Sequence, residues 1–352
     1  MKVHQDFVGG NISLIKIEEN TVYLENQLRD SEGDWFYWAF CVEGAQGKTV
    51  KFQMQPNRVG YFGPAVSYDL YHWEWLNQSD GESFTYTFKQ DEDKVYFAHD
   101  MLYHPAHFLN FCEKNSIKTE EFCKSSKGRS VPYFTFGKGE KTVLLTARHH
   151  ACEATGNYVL EGVLEYLMQN TPEGLKFLCV PFMDYDGVVD GDQGKNRKPH
   201  DHNRDYVPTE QPIYPTTARI RNIIKEENVI FGFDFHAPWH KGGEHDKVYV
   251  VQGNPDFVDR YNTFDAMLEK NITPESLRYE AKNDLAPNTS WNKLGNHTFA
   301  SHVQNGKGAH MAFTLETTYF GTPDNIFTAD RGRNLGKAFG KTICEYYDTY
   351  CK

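Results

Sequence analysis

The chain has 352 residues, of which 39% are hydrophobic and 24% charged, and this composition describes a globular protein with a sizeable core. Its length exceeds the usual size of one domain, so we expect two. The formal net charge of -11 argues against a nucleic-acid partner, because affinity for a phosphate backbone depends on Lys and Arg.

The first residues, the hydropathy and the cysteines indicate the expected cellular location. Residues Met1–Asp6 lack the apolar core of a signal peptide. No window approaches the roughly 20 apolar residues that span a bilayer, so we expect no membrane partner. The seven cysteines are odd in number and contain no C-x-x-C pair, which is typical of reduced thiols. These features predict a cytoplasmic protein and leave its oligomeric state open.

The first hundred residues alternate between apolar and polar positions. Two such runs are predicted strands, with one face each formed by Val50, Phe52 and Met54, and by Phe84, Tyr86 and Phe88. Turn-forming stretches separate the runs, and no amphipathic helix interrupts them. We therefore expect a small antiparallel β-sandwich domain over residues 1–104. The aromatic run 35–38 is expected to pack its core or its interface with the next domain, with a carbohydrate- or peptide-binding face as the less favoured alternative.

The pattern changes near Met101–Pro105, where we expect the domain boundary. Apolar residues recur at helical spacing directly after Glu153, and residues 328–350 are predicted to form a C-terminal helix. Apolar runs that are typical of buried strands alternate with the helices: 143–147, 175–182, 229–235, 248–251 and 311–315. Residues 105–352 are therefore predicted to form an α/β domain, with a mixed, mostly parallel sheet flanked by helices.

One short motif suggests metal chemistry. His150 and Glu153 form an H-x-x-E pair directly after the run 143–147, and their spacing lets both side chains reach one cation. His236 follows another apolar run and offers a third ligand. Two histidines and one glutamate around an open position form a ligand set of hydrolytic zinc. The H-x-x-E pair alone is a weak signal, because two common residues recur at this spacing by chance.

Other polar clusters at strand ends strengthen the metal-site interpretation of the H-x-x-E pair. Sites in open α/β sheets form beyond the carboxyl ends of the strands. The polar clusters 150–153, 203–204, 236 and 316 all follow predicted strands of this domain. We therefore expect their side chains to meet at one edge of the sheet.

These motifs resemble the zinc carboxypeptidases of the carboxypeptidase A type. The order is H-x-x-E, then D-x-N-R at 201–204, then a histidine and a glutamate at strand ends. The stretches VPFMDYDG at 180–187 and FTLE at 313–316 are similar to the cytosolic carboxypeptidase branch. So are GGNI at 9–12, WFYW at 35–38 and YFA at 96–98 in the N-terminal part. That branch carries a β-sandwich ahead of its catalytic domain.

The resemblance implies a role for each matching residue. One zinc ion per chain would be held by His150, Glu153 and His236, with Asp201 hydrogen-bonded to the free ring nitrogen of His150. Glu316 would act as general base and acid, and Arg197 would polarise the scissile carbonyl. Asn203 and Arg204 would grip the carboxylate at the end of the substrate, since arginine binds carboxylates in a bidentate manner.

Three assignments stay open. His149 competes with His150 for the metal, although the spacing to Glu153 favours His150. Lys195 or Lys198 could take the place of Arg197, because the loop before Asn203 is shorter than in the relatives. The family has a tyrosine in a mobile loop before the catalytic glutamate, but residues 290–308 contain none. Either Tyr279 or Tyr319 serves instead, or the closing step is absent.

The leading expectation is a carboxypeptidase acting on peptide or protein C-termini, with water activated by zinc. The alternative is a zinc amidase or deacylase that acts on small N-acyl amino acids with the same site. A non-catalytic binding module is disfavoured, because the three ligands and the base are all present. Lys293 and Lys307 lie where an acidic side chain of the substrate would be read, but the sequence does not decide side-chain preference.

Overall fold

The computed structural model describes residues 1–240 and 243–352. Nine strands come first along the chain: β1 (Lys2–His4), β2 (Ser13–Glu18), β3 (Thr21–Glu25), β4 (Ala39–Glu43), β5 (Thr49–Gln53), β6 (Ala65–Ser67), β7 (Glu74–Trp75), β8 (Ser83–Thr87) and β9 (Lys94–Ala98). They form a five-stranded sheet in the order β1-β4-β9-β6-β7 and a four-stranded sheet in the order β2-β3-β5-β8. All pairs are antiparallel except β3 with β5.

The two N-terminal sheets share one aromatic core. Trp38, Phe40, Phe52, Phe84 and Phe97 are all fully buried or nearly so, and their rings contact one another. Phe52 and Phe84 come from the alternating runs, which place every second side chain on the same face of a strand. The predicted β-sandwich is confirmed, with one parallel pair of strands that the sequence pattern did not indicate.

The second part of the chain alternates helices and strands. Its helices are α1 (Pro105–Lys114), α2 (Thr155–Gln169), α3 (Tyr185–Asp190), α4 (Pro215–Glu226), α5 (Val258–Asn271), α6 (Phe299–Gln304) and α7 (Ala329–Tyr350). Its strands are β10 (Glu120–Lys124), β11 (Ser130–Gly137), β12 (Lys141–Ala147), β13 (Leu175–Val180), β14 (Asn228–His236), β15 (Tyr249–Gln252), β16 (Met311–Glu316), β17 (Gly321–Thr322) and β18 (Asn325–Ile326).

Seven of these strands form one mixed sheet in the order β10-β11-β13-β12-β14-β16-β15. The four strands β13, β12, β14 and β16 are parallel to one another, and the outer pairs are antiparallel. The predicted mixed α/β fold is confirmed, and its parallel character belongs to the centre of the sheet. The central strands are buried on both faces, which explains their continuous apolar runs.

Helices cover both faces of the seven-stranded sheet. On one face α2 packs against α7, and α5 packs beside α7. Gly162 and Gly336 lie where α2 and α7 cross, and a Cβ atom at either position would collide with backbone of the opposite helix. The opposite face is covered by α4 and α6. Within the described residues no helix has the length and apolar character needed to cross a bilayer.

The N-terminal sheets pack directly on the α/β part. Phe36, Trp75 and Tyr103 belong to the same apolar core as Val143 and Leu145 of β12. Hydrogen bonds add to this contact, since Gln193 exchanges two with the backbone of Tyr37, and the Trp75 indole donates to the carbonyl of Phe327 at 2.8 Å. The division of the chain at residues 104 and 105 stays a prediction.

Candidate metal and active site

Parallel strands bring the predicted site residues to one edge of the sheet. His236 and Glu316 are the last residues of β14 and β16 and stand opposite each other in that pair. His150 and Glu153 lie in the loop between β12 and α2. Because the carboxyl ends of parallel strands meet at the same edge, residues far apart in sequence converge there.

The loop that carries His150 and Glu153 is held by the side chain of Arg148. Arg148 has a φ of 60°, a left-handed conformation that costs a non-glycine residue roughly 1–2 kcal/mol. Its guanidinium donates to the carbonyl of Ala151 at 2.8 Å and to the side chain of Asn157 at 3.2 Å. These bonds inside the protein hold the turn that directs His150 and Glu153 toward the strand ends.

His150, Glu153 and His236 form a group of potential metal ligands. One ligand atom of each lies within 4.8 Å of the other two. Glu153 Oε1 is 2.9 Å from His150 Nδ1, and Glu153 Oε2 is 2.7 Å from His236 Nδ1. Oε2 is buried, yet it makes no hydrogen bond of good geometry within the described residues. Two nitrogens and a carboxylate that converge in this way suit a divalent cation such as zinc.

A carboxylate lies near the Nε2 atom of each of the two ligand histidines. His150 Nε2 lies 3.5 Å from Asp201 Oδ1, and His236 Nε2 lies 2.6 Å from Asp234 Oδ2. Burial raises the pKa of Asp234, but the neighbouring His149 and His236 outweigh it and hold this pKa below its ordinary value. Such carboxylates fix the orientation and the tautomer of a metal-binding histidine. The structure thus brings Asp201 to the ring nitrogen where it was predicted.

His149 occupies a separate hydrogen-bond network. Its Nδ1 is 2.9 Å from Asp234 Oδ1 and its Nε2 is 2.7 Å from the hydroxyl of Tyr206. His149, Asp234 and His236 also have atoms close enough to share a cation. Both ring nitrogens of His149 already have hydrogen-bond partners, however, and its side chain is fully buried. This favours His150 as the ligand that faces the open side of the site.

Glu316 is a buried carboxylate beside the ligand group. Burial, together with the charge of Glu153, raises the pKa of Glu316 to about 7. Its Oε2 makes no hydrogen bond within the part of the chain that the structure describes. A carboxylate in this environment can exchange a proton near neutral pH, as a general base requires.

Two cavities open at Glu316 and share part of their lining. One has a volume of about 240 Å³ and the other about 320 Å³. Both are lined by His150, Arg204, Trp291 and Glu316. Within the described residues Arg204 forms no ion pair, and the only hydrogen bond of its side chain is to the carbonyl of Asn203 at 3.1 Å. Its charge is therefore available to an anionic group in the cavity.

Asn203 borders the smaller cavity, but its side-chain oxygen has a structural partner. Asn203 Oδ1 accepts a hydrogen bond from the backbone amide of Phe299 at 3.0 Å. The backbone of Asn203 is held by Asp201, whose side chain caps the short 3-10 turn His202–Arg204. Only the amide nitrogen of Asn203 is left for a ligand.

The structure does not bring Arg197 into this group. Its guanidinium lies 2.7 Å from Asp184, 3.0 Å from Asp30 and 3.2 Å from Asp192. Arg197 lines a different cavity, beside His202 and Tyr214. Three carboxylates thus hold its charge in the protein interior, and the predicted contact of Arg197 with a scissile carbonyl finds no support in this geometry.

Lys195 is the cation that faces the ligand group. Its ammonium pairs with Glu153 and lies 5.0 Å above the ring of Trp35. Burial lowers the pKa of Lys195, but Glu153 and the other anions nearby outweigh this and hold it above its ordinary value. Lys198, the other lysine considered as a replacement, is exposed and pairs with Glu32 at 3.1 Å. Of the two lysines considered as replacements for Arg197, Lys195 is therefore the one that lies beside the ligand group.

The aromatic residues at the site differ from the expected ones. Tyr279 and Tyr319 are both buried, the first bonded to Asp284 at 2.6 Å and the second 3.5 Å from Cys152. Neither lines the two cavities. Trp291 is 41% exposed and borders both. Trp35 of the N-terminal part lines the larger one, the position that the alternative of a peptide-binding face for the run 35–38 requires.

The fold is that of solved metallo-carboxypeptidase structures. A metallo-carboxypeptidase from Burkholderia cenocepacia superposes with a TM-score of 0.81 at 18% identity and covers 99% of both chains. Another, from Pseudomonas aeruginosa in complex with (2-guanidinoethylmercapto)succinic acid, superposes with a TM-score of 0.79 at 20% identity, again over 99% of both chains. At these identities the likeness defines the fold.

Sequence comparison shows a similarity to the cytosolic carboxypeptidases in particular. Residues 3–99 match the cytosolic carboxypeptidase N-terminal domain. The chain is 24% identical over 317 residues to cytosolic carboxypeptidase 2 of Xenopus tropicalis. That match includes 80% of this chain but 32% of the relative, so the chain spans about a third of the length of such relatives. The resemblance to the cytosolic carboxypeptidase branch, predicted from the motifs, is confirmed.

Proposed function

We propose that this protein is a zinc carboxypeptidase that removes the last residue of peptides or proteins. The observation that carries the proposal is the convergence of His150, Glu153 and His236 with Glu316 and Arg204 around one opening. The relatives and the solved structures of this fold carry the name carboxypeptidase. The ligand set, the base and a cation for the substrate carboxylate are the parts that such a reaction requires.

His150, Glu153 and His236 would hold the metal. When bound, a divalent zinc ion supplies Lewis-acid polarisation of the scissile carbonyl and lowers the pKa of a nearby water. Glu316 takes a proton from the attacking water and returns it to the nitrogen of the leaving amine. The buried position of Glu316 and its raised pKa, at about 7, suit it to both transfers.

Lys195 and Arg204 each stabilise one negatively charged group of the substrate. Lys195 lies beside Glu153 and borders the larger cavity, where the carbonyl oxygen of the substrate gains charge. A fixed cation at that point stabilises the transition state more than the ground state. Arg204 has no anionic partner within the described residues and receives the terminal carboxylate, which makes a free C-terminus a requirement.

Trp291 takes the position over the substrate where a tyrosine is expected. It is the exposed aromatic residue that both cavities share, and it belongs to the segment 290–308 that precedes the catalytic glutamate. An indole covers apolar surface and excludes water, but unlike a tyrosine it has no hydroxyl acceptor. We therefore assign it a covering role and no proton transfer.

The smaller cavity has a lining of mixed polar and apolar residues that includes one lysine. Beyond the catalytic residues, its charged side chain is that of Lys293. Lys307 does not border this cavity. We therefore expect substrates with an acidic side chain at the C-terminus to be cleaved in preference to basic ones.

A cytoplasmic location fits the cysteines and the relatives. All seven cysteines are free, as expected of a reducing compartment. The relatives in the same branch are named cytosolic carboxypeptidases.

Digestion of a mixed peptide library by the purified, zinc-loaded protein tests the proposal. We expect stepwise loss of single C-terminal residues, read by mass spectrometry and abolished by a chelator. Peptides with amidated C-termini serve as the matched control and should stay intact, because Arg204 then has no carboxylate to bind. Intact peptides together with hydrolysis of N-acyl amino acids would overturn the carboxypeptidase in favour of the small-molecule amidase.

A further inference from the structure

A second group of potential metal ligands lies on the N-terminal five-stranded sheet. His4 in β1 stands opposite Cys41 in β4 in their antiparallel pair, and Glu43 is two residues further along β4. Side chains opposite each other, and those two residues apart, share one face of a sheet. The ligand atoms of these three residues lie within 4.8 Å of one another.

This face of the sheet is the one turned away from the aromatic core. Val3, Val42 and Val95 of the same strands point into the core. On the outer face Cys41 is completely buried, because Tyr96 stands opposite it in β9 and Phe7 packs on the Tyr96 ring at 5.1 Å. Aromatic side chains thus cover the thiol, while His4 and Glu43 border it.

Glu43 Oε1 already pairs with the Lys94 ammonium at 2.9 Å, so the unsatisfied polar atom of the group is on His4. His4 Nε2 lies 3.3 Å from Glu43 Oε1. It is nevertheless buried without a hydrogen bond of good geometry in the described parts of the chain, 1–240 and 243–352. A buried nitrogen in this state costs free energy unless a donor, a proton or a cation meets it.

We propose that His4, Cys41 and Glu43 form a binding site for a divalent zinc-like cation, separate from the site at the strand ends of the α/β domain. A nitrogen, a sulfur and a carboxylate oxygen are a donor set that zinc accepts, and a thiolate selects against magnesium and calcium. Water would supply the fourth ligand. The bond between Cys41 Sγ and the metal forms as the thiol proton leaves to solvent.

Two neighbours set the conditions for binding. Burial raises the pKa of the Cys41 thiol to about 12. As at any cysteine ligand, binding of a metal displaces the thiol proton and therefore strengthens as the pH rises. The Nδ1 of His4 accepts from the Asp6 amide at 3.2 Å and lies 3.6 Å from Asp6 Oδ2. A metal on Nε2 places the ring proton on Nδ1, so the hydrogen bond from the Asp6 amide must then be replaced by one that Nδ1 donates to the Asp6 carboxylate.

A metal at this site would link the edge strand β1 to the inner strand β4. Strand β1 has three residues and pairs only with β4. A cation shared by His4 and Cys41 crosses this pair directly, so metal that binds only the folded state stabilises it by an amount that grows with the logarithm of the affinity. The proposed role is structural, and it requires no change in the reaction at Glu316.

Cobalt(II) titration of the full-length protein tests the proposal, because thiolate–cobalt bonds absorb strongly in the near ultraviolet. The ligand group at His150, Glu153 and His236 contains no sulfur, so it gives no such band. We expect the band in the unmodified protein, its loss in Cys41→Ser and its retention in Cys112→Ser. Cys112 is a matched control, since it is also buried and its pKa is likewise raised to about 12.

Zinc alone provides the second measurement. Added zinc should bleach the cobalt band and raise the thermal midpoint of His236→Ala, in which the other site is impaired. Neither effect should occur when Cys41→Ser is combined with His236→Ala. If Cys41→Ser does not fold, His4→Ala replaces it and should weaken the band. Absence of the band in the unmodified protein, or its persistence without Cys41, would refute the site.

Discussion

The two histidine–carboxylate groups of this protein are built in different ways. His150, Glu153 and His236 come from a loop and a strand end that are far apart in sequence, and parallel strands bring them together. His4, Cys41 and Glu43 come from one antiparallel pair, where cross-strand register alone aligns them. The first group opens into cavities that a substrate could enter, whereas Phe7 and Tyr96 cover the thiol of the second.

The two groups also differ in the carboxylates that lie near the outer ring nitrogens of their histidines. At the strand ends, Asp201 and Asp234 contact the outer nitrogens of His150 and His236. On the N-terminal sheet only Asp6, which is exposed, lies near the outer nitrogen of His4. Supporting carboxylates orient a ligand for chemistry, so their presence at one group and weakness at the other separates a catalytic candidate from a structural one.

The largest expected effect is that of Glu316→Gln, which removes the base and keeps all three ligands. We expect turnover to fall roughly a thousandfold, within the range that general-base catalysis contributes. Bound zinc, measured by atomic absorption, should stay unchanged. Loss of zinc in this variant would mean that Glu316 is a ligand, and would remove the distinction between base and ligand group on which the comparison depends.

Lys195→Gln should have the next largest effect. Removal of one preorganised charge at a developing oxyanion costs about a hundredfold to a thousandfold in turnover. Lys198→Gln is the matched control, because Lys198 is exposed and pairs with Glu32 outside the two cavities. Equal effects of the two changes, measured as kcat on one peptide, would contradict the role given to Lys195.

The next test concerns Asp100, a buried carboxylate that has no histidine partner, whereas Asp234 has two. The substitution is Asp100→Asn. Burial raises the pKa of Asp100 to about 7 from its ordinary value of 3.8, and Arg148 offsets this only in part. The unfolded chain loses this proton at lower pH than the folded protein does. Asp100 therefore lowers the free energy of unfolding progressively as the pH rises from about 4 to about 7.

A shift of this size corresponds to at most about 4 kcal/mol above pH 7. We expect Asp100→Asn to recover about half of that, roughly 2 kcal/mol, because the asparagine amide must itself be buried. Urea unfolding at pH 5 and pH 8 measures the effect, which should be larger at pH 8. The exposed Asp91→Asn serves as control and should change stability little at either pH.

Arg204→Ala should act on binding more than on turnover. Loss of one charge-assisted contact is worth about 1.5–3 kcal/mol, so KM for peptides with a free C-terminus should rise roughly tenfold or more. Amidated peptides lack the carboxylate and provide the control within the same experiment. If both kinds of substrate suffer equally, Arg204 does not bind the chain end.

The strand ends explain why much of the candidate site was predictable. Apolar runs buried on both faces mark β12, β14 and β16, and the first polar residues after a run must lie at the edge of the sheet. His150, Glu153, His236 and Glu316 all follow this rule. The C-terminal helix was predictable for a related reason, since its periodic apolar face runs without a break through α7, Ala329–Tyr350.

Pairing between distant parts of the chain explains what was not predictable. Arg197 lies in the expected loop, but its charge is held partly by Asp30 of the N-terminal part. Trp35 reaches Lys195 from that same part. The group of His4, Cys41 and Glu43 was also missed, because it depends on which residue of β1 stands opposite which residue of β4. No local pattern encodes such contacts.

Lys94→Gln is the most sensitive test of the second group, although its effect should be the smallest. The Lys94 ammonium lies 2.9 Å from Glu43 Oε1 and therefore competes with any cation for that carboxylate. Removal of this exposed partner should tighten cobalt binding by roughly a few fold, since exposed ion pairs are weak. Lys16→Gln breaks an exposed pair with Glu18 in the other N-terminal sheet, and should leave the affinity unchanged. Weaker binding in Lys94→Gln would mean that Glu43 does not ligate the metal, and the site would then reduce to a histidine and a thiol, too few to hold zinc against solvent.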